Sequence, residues 1–518
     1  MIFKVLSWCS EQAKDEYTKA ALTLSVLVIV IGWWKLRKHS RQEKVLSPPG
    51  PWGLPLVGNL PFLDPSLHSC LAQLSLKYGS IMKIQLGRRP CVVLSSAEAA
   101  KEVLKDHDAD FADRDVPATA FCVYGAANIA FAPYGEHWRM MRKVCVRELL
   151  SHGNLEALYG LRRAGVEDMV ITVRSKIGSP IDIGELSVLS MFNIITSMMW
   201  GNTLDREERL RVSTKFREVA QKMVGLLGEA NISDFFPMLS KFDIQGKERR
   251  MKEVVQWFDQ IFEFVIDKRR KMETLAEYDE EVQKDFLQVL LRLIDEGDQK
   301  TPFSITHLKA LFVDMTVAGT KTISVSVEWA MAELLNQPEM FKKAQDELDR
   351  VVGKNNVVEE SHLSKLPYLD AIIKEVMRLH PVGPLLIPRC ARESCVIGGY
   401  LIPKGAKIFV NVWAIQRDPT YWTDPLKFKP ERFLYSSNVW DYNGNDFRYI
   451  PFGSGRRICV GIPLAEKLVS YLLASLLHSF SWKLPEGTEL DLTAQFGLEL
   501  KKQIPLCAIP SPRLREEF

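Results

Sequence analysis

The stretch PFGSGRRICVGIP, residues 451–463, decides how the rest of this chain is interpreted. It places one cysteine, Cys459, among three glycines and two arginines, with a proline near each end. A structural cysteine usually lies among apolar side chains, whereas glycines let backbone amides and a flat ligand approach a sulfur closely. The arginines, and a helix predicted to begin near Pro463, favour the thiolate, which is the form of cysteine that binds metals. The stretch therefore predicts a ligand-binding thiolate in a tight loop, although a lone cysteine would also fit a buried free thiol.

Composition limits the class of protein. The chain has 518 residues, of which 47% are hydrophobic and 25% are charged, as in a globular protein with a large core. Its net charge of +3 arises from 67 basic and 64 acidic side chains, which argues against a general nucleic-acid binder. The nine cysteines are scattered and form no C-x-x-C pair, so zinc-ribbon and thioredoxin-like motifs have no support. This cysteine usage fits a reducing compartment.

The N-terminal region carries a membrane-attachment pattern. Residues 20–34 have no charged side chain and end on Trp33 and Trp34, where an interfacial aromatic belt would lie. Basic residues follow at once, so the positive-inside rule places the C-terminal side in the cytosol. A cleaved signal peptide would carry its basic residues before the apolar run. We predict a lumenal segment over 1–19, an uncleaved transmembrane signal anchor over 20–34 and a basic, proline-rich hinge over 35–61.

Residues 62–518 are predicted to form one large domain that is mainly helical with a minor β-sheet. A hairpin is predicted from strands at 81–86 and 91–95, and the longest helix is predicted over 304–337. At 1.5 Å per residue this helix would be about 50 Å long, and its apolar middle places it in the core. Its centre reads AGTKT, residues 318–322, where a glycine and polar residues interrupt the apolar pattern. Such local inconsistency is typical of functional sites.

The spacing Phe452-x-x-Gly455-x-Arg457-x-Cys459-x-Gly461 resembles the haem-binding signature of the cytochrome P450 superfamily of haem-thiolate monooxygenases. The resemblance implies the cytochrome P450 fold for the domain, with haem b as its cofactor and Cys459 as the proximal ligand of the iron. It also implies that Arg457 meets a haem propionate and that Phe452 packs near the loop. The loop and the helix after it are further similar to plant microsomal A-type members.

Two downstream motifs occur in the same order as in that family. EVMR at 375–378 places a glutamate and an arginine three residues apart on one helix face, where they can pair. PERF at 430–433 supplies a further arginine. The resemblance implies that Glu375, Arg378 and Arg432 form a buried network that holds the cysteine loop in place. Considered alone, the first motif would fit an exposed ion pair equally well.

A third motif, WRMMR at 138–142, places Trp138 and Arg142 four residues apart on a helix. The resemblance implies that both side chains reach haem propionates, although the motif alone would fit an amphipathic surface helix. Arg389 is a further propionate candidate by its position after the Glu-Arg helix.

The AGTKT segment departs from the family at one position. The family pattern is a small residue, glycine, any residue, an acid and threonine, and Lys321 stands in place of the acid. The resemblance implies that Gly319 opens a kink over the haem and that the Thr322 hydroxyl delivers protons to iron-bound oxygen. No acid lies one turn from Lys321 on its own helix. Because an unpaired buried ammonium is costly, Lys321 must reach an acid on another segment, extend to water or lie neutral near the pocket.

The resemblance implies a monooxygenase that inserts one oxygen atom from O2 into a small lipophilic substrate. The chain shows no dinucleotide fingerprint, so electrons would come from NADPH through a separate cytochrome P450 reductase. Membrane lipid would be a further partner, with a single-pass anchor in the endoplasmic reticulum and the catalytic domain facing the cytosol. Arg139, Lys143 and Arg456 could receive the reductase, although they would also fit a solvated basic surface.

A plant terpenoid-sized hydrocarbon is the expected substrate, with phenolic or fatty compounds as alternatives. By family position, the pocket is expected to include mainly apolar side chains, namely Phe121, Val313, Val317, Leu385, Leu386, Phe496 and Leu498.

Two other functions stay open at the level of sequence. Some members of the superfamily are isomerases or dehydratases that need no external electrons, and Lys321 keeps this alternative in view. A non-catalytic haem-binding protein on the membrane would share Cys459. The retained Thr322 argues against both alternatives.

Overall fold

The computed structural model describes residues 46–201, 203–274, 285–297, 302–435 and 440–513. The predicted lumenal segment, the transmembrane anchor and the first part of the hinge lie outside these ranges.

The described body is mainly helical. Its α-helices are α1 (Leu67–Tyr78), α2 (Ala97–Lys101), α3 (Ala118–Phe121), α4 (Glu136–Val144), α5 (His152–Ala157), α6 (Tyr159–Arg174), α7 (Ile183–Trp200), α8 (Arg206–Gly228), α9 (Ile232–Phe235), α10 (Lys247–Thr274), α11 (Phe286–Glu296), α12 (Ile305–Asn336), α13 (Pro338–Val351), α14 (Glu360–Leu363), α15 (Pro367–Leu379), α16 (Val412–Ile415), α17 (Glu431–Leu434) and α18 (Ile462–Ser479). Short 3-10 segments occupy Leu60–Phe62, Tyr124–Ala126, Pro237–Phe242 and Gly455–Arg457, and π-helical segments occupy Glu102–Asp106 and Cys145–Leu149.

The strands are short and form several small sheets. They are β1 (Ile81–Leu86), β2 (Arg89–Leu94), β3 (Ile181–Asp182), β4 (Arg389–Cys390), β5 (Cys395–Ile397), β6 (Tyr400–Ile402), β7 (Lys407–Val410), β8 (Phe480–Lys483), β9 (Ala494–Gln495), β10 (Lys501–Lys502) and β11 (Cys507–Pro512). The sheet orders are β1-β2-β7-β4, β3-β11-β8, β5-β6 and β10-β9, with β2 and β7 parallel and the other pairs antiparallel. The predicted hairpin is confirmed, although β2 begins two residues earlier than expected.

Helix α12 is the central element of the core, as its composition predicts. Ser304 caps its N-terminus by accepting a hydrogen bond from the His307 amide, and Pro338 follows its end. The helix runs without interruption through Gly319. A Cβ atom on Gly319 would lie 3.2 Å from the Cδ1 atom of Ile195 on α7, so this glycine permits the two helices to pack closely.

Two helices in the described ranges, α7 and α12, are long and apolar enough to cross a membrane. Each has a mean hydropathy of 1.2, and 67% of each apolar window is buried inside the protein. Burial on this scale is what core helices of a globular domain show.

The proline-rich segment before residue 62 is packed against the sheet. The Lys83 amide donates to the carbonyl oxygen of Pro49 at 2.8 Å, and the Gln85 amide donates to the Asn59 Oδ1 atom at 2.7 Å. The described part of the predicted hinge therefore runs along the edge of β1 and accepts hydrogen bonds from it. This contact orients the end of the hinge relative to the body.

Asp314 ties the loop before α4 to the central helix. Its Oδ2 atom accepts a hydrogen bond from the Ile129 amide at 2.6 Å. Burial raises the pKa of Asp314 to about 7, while the amides of Ile129 and Ala130 act in the opposite direction. The loop around Ile129 is thus fixed to α12 by the Asp314 carboxyl group.

The raised pKa of Asp314 predicts a pH dependence of stability. The folded protein keeps this carboxyl protonated up to about pH 7, whereas an unfolded chain does so only below about pH 4. The contribution of this group to the free energy of unfolding is therefore complete below about pH 4 and is lost as the pH rises through about 7. Asp314→Asn keeps an oxygen acceptor for the Ile129 amide and should flatten that decline.

Chemical denaturation of both proteins at about pH 5 and about pH 8 measures the effect. An equally steep decline in the variant would show that Asp314 is ionised throughout this range.

Candidate active site

Cys459 lies in a loop that closes on itself directly before α18. Its amide donates to the carbonyl oxygen of Phe452 at 3.1 Å, and its Sγ atom accepts from the Gly461 amide at 3.3 Å. The side chain is exposed, yet burial raises the pKa of the Cys459 thiol, against the opposing effects of the Gly461 amide and of Arg142. The Cys459 sulfur is therefore accessible although much protein surrounds it.

Gly455 allows the cysteine loop to lie against the chain near α2. Its φ of +68° belongs to the left-handed region, and a Cβ atom there would lie 2.2 Å from the carbonyl oxygen of Leu104. The neighbouring Arg456 amide donates to the Asp108 Oδ2 atom at 2.8 Å. Only glycine fits this turn at this separation.

Guanidinium groups converge around the cysteine loop. Arg457 donates to the carbonyl oxygens of Ala112 and Ala132 at 2.7 and 2.6 Å. Arg142 donates to the carbonyl oxygen of Ile458 at 2.8 Å. Burial, followed by the positive charge of the nearby Arg389, lowers the pKa of Arg457 to about 10.

Two further predicted residues reach the same region. The Trp138 indole nitrogen donates to the carbonyl oxygen of Ile129 at 3.1 Å and is buried. Arg389 donates to the Asp108 Oδ1 atom at 2.8 Å and to the carbonyl oxygen of Ser454 at 2.6 Å. The structure therefore brings Trp138, Arg142, Arg389 and Arg457 together with the cysteine loop.

Arg114 belongs to this group, and sequence analysis missed it. Its guanidinium donates to the carbonyl oxygens of Ile387 and Pro388 at 2.6 and 2.9 Å. Burial, and then the charges of Arg457 and Arg389, hold the pKa of Arg114 well below its ordinary value. In the sequence it stands between two aspartates in FADRDVP, where it resembles an ordinary surface charge.

The charge of this arginine cluster, defined as Arg114, Arg142, Arg389 and Arg457, is not balanced. Among the described residues, the carboxylates that act on it are those of Asp108 and Asp113. Four guanidinium groups facing two carboxylates leave a positive potential inside the protein. Such a site suits a ligand that carries carboxylates of its own.

One face of α12 is open to internal space. Asp314, Val317, Lys321 and Thr322 are only partly buried and Ala318 is exposed, whereas most residues on either side along the helix are buried. These positions recur at intervals of three and four residues, so they share one side of the helix. We call them the open stripe. A helix buried on its other sides and open along one stripe borders a cavity.

Glu375, Arg378 and Arg432 meet in a buried network. Arg378 donates to both carboxylate oxygens of Glu375, at 2.7 and 2.9 Å, and Arg432 donates to the Glu375 Oε1 atom at 3.0 Å. The side chains of Glu375 and Arg378 have no exposed surface. Arg378 also donates to the carbonyl oxygens of Gln416 and Pro425, each at 2.8 Å. The network thereby fixes the segment between β7 and α17 against α15.

The family model described as cytochrome P450 matches residues 48–506 of this chain. The chain belongs to the cytochrome P450 family. Salviol synthase of Salvia pomifera is 40% identical over 480 residues, which are 92% of this chain and 93% of that protein. A flavonoid 3'-monooxygenase of Crocosmia x crocosmiiflora is 38% identical, with 96% of this chain and 97% of that protein covered.

A solved structure of a zebra fish cytochrome P450 with progesterone superposes with a TM-score of 0.74 at 26% identity, and it covers 87% of this chain and all of that one. The predicted fold is confirmed, and the chain is a cytochrome P450 monooxygenase that is similar to plant enzymes.

Family membership implies haem-thiolate iron, and the residues of this cytochrome P450 fit that group. Haem carries two propionates, which the unbalanced arginine cluster can accept. Its iron needs an accessible thiolate, and Cys459 is accessible.

A second cysteine, Cys395, is less suited to this role. Its Sγ atom lies 3.4 Å from His107 Nδ1, and with Asp110 the three residues could together hold a metal ion. Burial, Asp110 and Glu102 all raise the pKa of the Cys395 thiol. Anions therefore surround Cys395, whereas a guanidinium and amides surround Cys459.

Lys321 of this cytochrome P450 is paired with an acid from another segment. Its Nζ atom lies 2.5 Å from the Oε1 atom of Glu499, in the turn between β9 and β10. Of the three alternatives that the sequence left open, the structure shows the ion pair. The Thr322 hydroxyl next to it donates to the carbonyl oxygen of Ala318 at 2.5 Å.

The residues predicted for the substrate pocket do not all lie together. Leu386 reaches the cysteine loop, because a Cβ atom on Gly453 would lie 3.5 Å from its Cδ1 atom. Phe496 stacks on His68 with ring centroids 5.3 Å apart, and Phe121 is 62% exposed on α3. The remaining four differ in burial. Val313 and Leu385 are buried, Val317 is on the open stripe, and Leu498 is partly exposed beside Gly228.

The buried network predicts a large loss of stability when its acid is neutralised. Glu375→Gln keeps the shape of the side chain but leaves two buried guanidinium groups without a counter-charge. Breaking a buried pair in this way costs about 3–5 kcal/mol of unfolding free energy. Urea denaturation of the haem-loaded protein measures the loss.

The matched control is Asp370→Asn on the same helix. Asp370 is half exposed and pairs with Lys374 at 2.8 Å, so its neutralisation should cost no more than about 1 kcal/mol. Equal costs for the two variants would contradict the structural role of Glu375.

Proposed function

We propose that the Cys459 thiolate is the proximal ligand of haem iron in a monooxygenase that inserts one oxygen atom from O2 into a small lipophilic substrate. The observation that carries the proposal is an enclosed but accessible sulfur among basic side chains. The open stripe of α12 borders internal space on which a substrate could be held. Bound haem supplies the oxygen chemistry, and thiolate ligation favours cleavage of the O–O bond.

The arginine cluster would hold the two haem propionates. Arg114, Arg142, Arg389 and Arg457 supply fixed cations, and Trp138 packs against them with its ring centroid 4.4 Å from the Arg457 guanidinium carbon. Phe452, Gly455 and Gly461 would shape the loop so that the sulfur and the neighbouring amides face the iron. These contacts orient the cofactor and add no chemistry of their own.

Residues of the central helix would control the supply of protons to the site. The Thr322 hydroxyl is on the open stripe, and its present acceptor is a carbonyl one turn earlier. A hydroxyl can donate and accept at the same time, so Thr322 can pass a proton from water to a bound ligand. Gly319 would let this helix pack closely against α7, and Lys321 would place an ammonium group beside the hydroxyl.

Electrons are proposed to come from NADPH through a cytochrome P450 reductase. Arg139, Lys143 and Arg456 are exposed and offer a basic surface to an acidic partner. Arg139 and Arg456 both lie 5.9 Å from the ring of Tyr134. Electrostatic attraction of this kind accelerates encounter more than it strengthens binding.

A single-pass anchor over 20–34 is proposed to hold the enzyme on the endoplasmic reticulum, with the domain in the cytosol. Recovery of the full-length chain in the soluble rather than the microsomal fraction would count against that anchor. A plant terpenoid is the proposed substrate. Its support is the partly apolar open stripe, with Val317 and Ala318, and the resemblance to a plant enzyme named salviol synthase.

The ligand assignment predicts a spectral loss that does not depend on the substrate. Cys459→Ala should abolish the red-shifted Soret band of the reduced, CO-bound protein, because that band requires a thiolate on the iron. Cys395→Ala is the matched control and should keep it. If Cys459→Ala keeps the band and Cys395→Ala loses it, Cys395 is the thiolate ligand of the iron instead.

The reaction class predicts a strict requirement for NADPH, reductase and O2. Microsomes that contain this chain and its reductase should convert a compound from a terpenoid and flavonoid panel only when all three are present. Thr322→Ala should release more peroxide and form less product per NADPH consumed, because proton supply is impaired. Product formed without NADPH or O2 would instead indicate an isomerase or dehydratase, and bound haem with no conversion would indicate a binding protein.

A further inference from the structure

The pair of Lys321 and Glu499 places two charges at the edge of the cavity. The Lys321 side chain is 35% exposed although it lies midway along the core helix, whereas that of Glu499 is 8% exposed. The ammonium group is therefore accessible on the open stripe of α12, and the carboxylate that pairs with it is buried. Neither group belongs to the cysteine loop or to the arginine cluster.

Glu499 is held rigidly by the residue that follows it. The Leu500 amide donates to the carbonyl oxygen of Val382 at 2.9 Å, and the Leu500 carbonyl accepts from the Trp329 indole nitrogen at 3.1 Å. Trp329 is itself buried on α12. Because these two bonds fix the backbone next to Glu499, the carboxylate can hold Lys321 in one place instead of following it towards water.

The ammonium group keeps donors for a ligand. A lysine has three N–H donors and no acceptor, and within the described part of the chain its ion pair is with Glu499. Two N–H groups are left for an acceptor oxygen in the cavity. A hydrocarbon placed there would remove water from these donors and supply nothing in exchange, which is unfavourable.

The net charge of the ion pair further limits which class of ligand can bind. Glu499 neutralises Lys321, so the cavity edge has no net charge to attract an anion. A ligand carboxylate would also lie beside the carboxylate of Glu499 and be repelled. A hydroxyl group fits both partners, because its oxygen can accept from Lys321 while its hydrogen donates to Glu499.

We propose that Lys321 and Glu499 determine specificity by binding a hydroxyl group of the substrate. The substrate class is a neutral, hydroxylated lipophile, an alcohol or phenol whose apolar body lies along Val317 and Ala318. This inference rests on the proposed function and replaces the plain hydrocarbon that the sequence suggested. A reaction that introduces a hydroxyl group into the skeleton must therefore precede this one.

The test compares binding within matched series that differ only in oxidation state. The probes are limonene, perillyl alcohol and perillic acid, then farnesene, farnesol and farnesoic acid, then kaurene, kaurenol and kaurenoic acid. The haem-loaded protein is titrated with each, and the Kd is read from the ligand-induced shift of the Soret band. In the series that fits the cavity, the alcohol should bind about tenfold or more tightly than the hydrocarbon, as a hydrogen bond to a charged group allows. The acid should bind more weakly than the alcohol.

The double variant Lys321→Met/Glu499→Leu removes both charges at once and leaves no lone buried ion. It should bind the hydrocarbon at least as tightly as the parent does and lose the preference for the alcohol. Lys467→Met is the matched control, since Lys467 is a comparably buried lysine that pairs with the exposed Glu156 and with Glu360. It should keep the preference. Should the apolar pair fail to load haem, Lys321→Gln/Glu499→Gln provides the same test with a polar, neutral pair.

Three results would overturn the inference: a hydrocarbon that binds as tightly as its alcohol, a preference that survives in the double variant, or no binding in any series. The CO-bound spectrum is recorded for the same proteins. A retained thiolate band with no alcohol preference rejects the substrate class alone, whereas loss of the band in the parent protein rejects the proposed function.

Discussion

Uncompensated positive charge next to Cys459 is the constraint on which the site depends. Burial and then the charges of Arg457 and Arg389 lower the pKa of Arg114, and burial and then the charge of Arg389 lower the pKa of Arg457. Backbone carbonyls accept their hydrogen bonds but cannot cancel their charge. A folded protein tolerates such a cluster when a bound anion completes it, and loading of the cofactor is therefore part of folding energetics as well as of catalysis.

The shape of the cavity follows from the central helix. Helix α12 packs against α7 so closely at Gly319 that a side chain there would press on Ile195. Along the open stripe the same helix is only partly covered by its neighbours. Small or polar residues such as Ala318 and Thr322 occupy the stripe and leave space beside it. Asp314 sits at one end of the stripe and fixes the loop around Ile129, while Lys321 sits near the other end. Residues of this one helix thus border the pocket along its length.

Local patterns allowed much of this structure to be predicted. Cys459 stands out because its neighbours within ten residues differ from those of a core cysteine, and Glu375 and Arg378 pair across a single helical turn. Long-range partners could not be obtained in this way. Arg114 meets Ile387 across 273 residues of sequence, and Asp314 meets Ile129 across 185. Each looks like an ordinary charge until the fold brings its partner near, and for the same reason the sequence could offer only alternatives for Lys321.

The pair of Lys321 and Glu499 illustrates why a costly interaction is kept at a functional site. A buried ion pair can often be replaced by apolar residues with no loss of stability, because desolvation offsets most of the attraction between its charges. Stability alone therefore gives little reason for a lysine in the centre of a core helix. What apolar residues cannot supply is a fixed donor and a fixed acceptor side by side at the cavity edge. Glu499 comes from the turn between β9 and β10, and Lys321 comes from α12. Ligand recognition by the pair therefore depends on how these two elements are placed relative to one another.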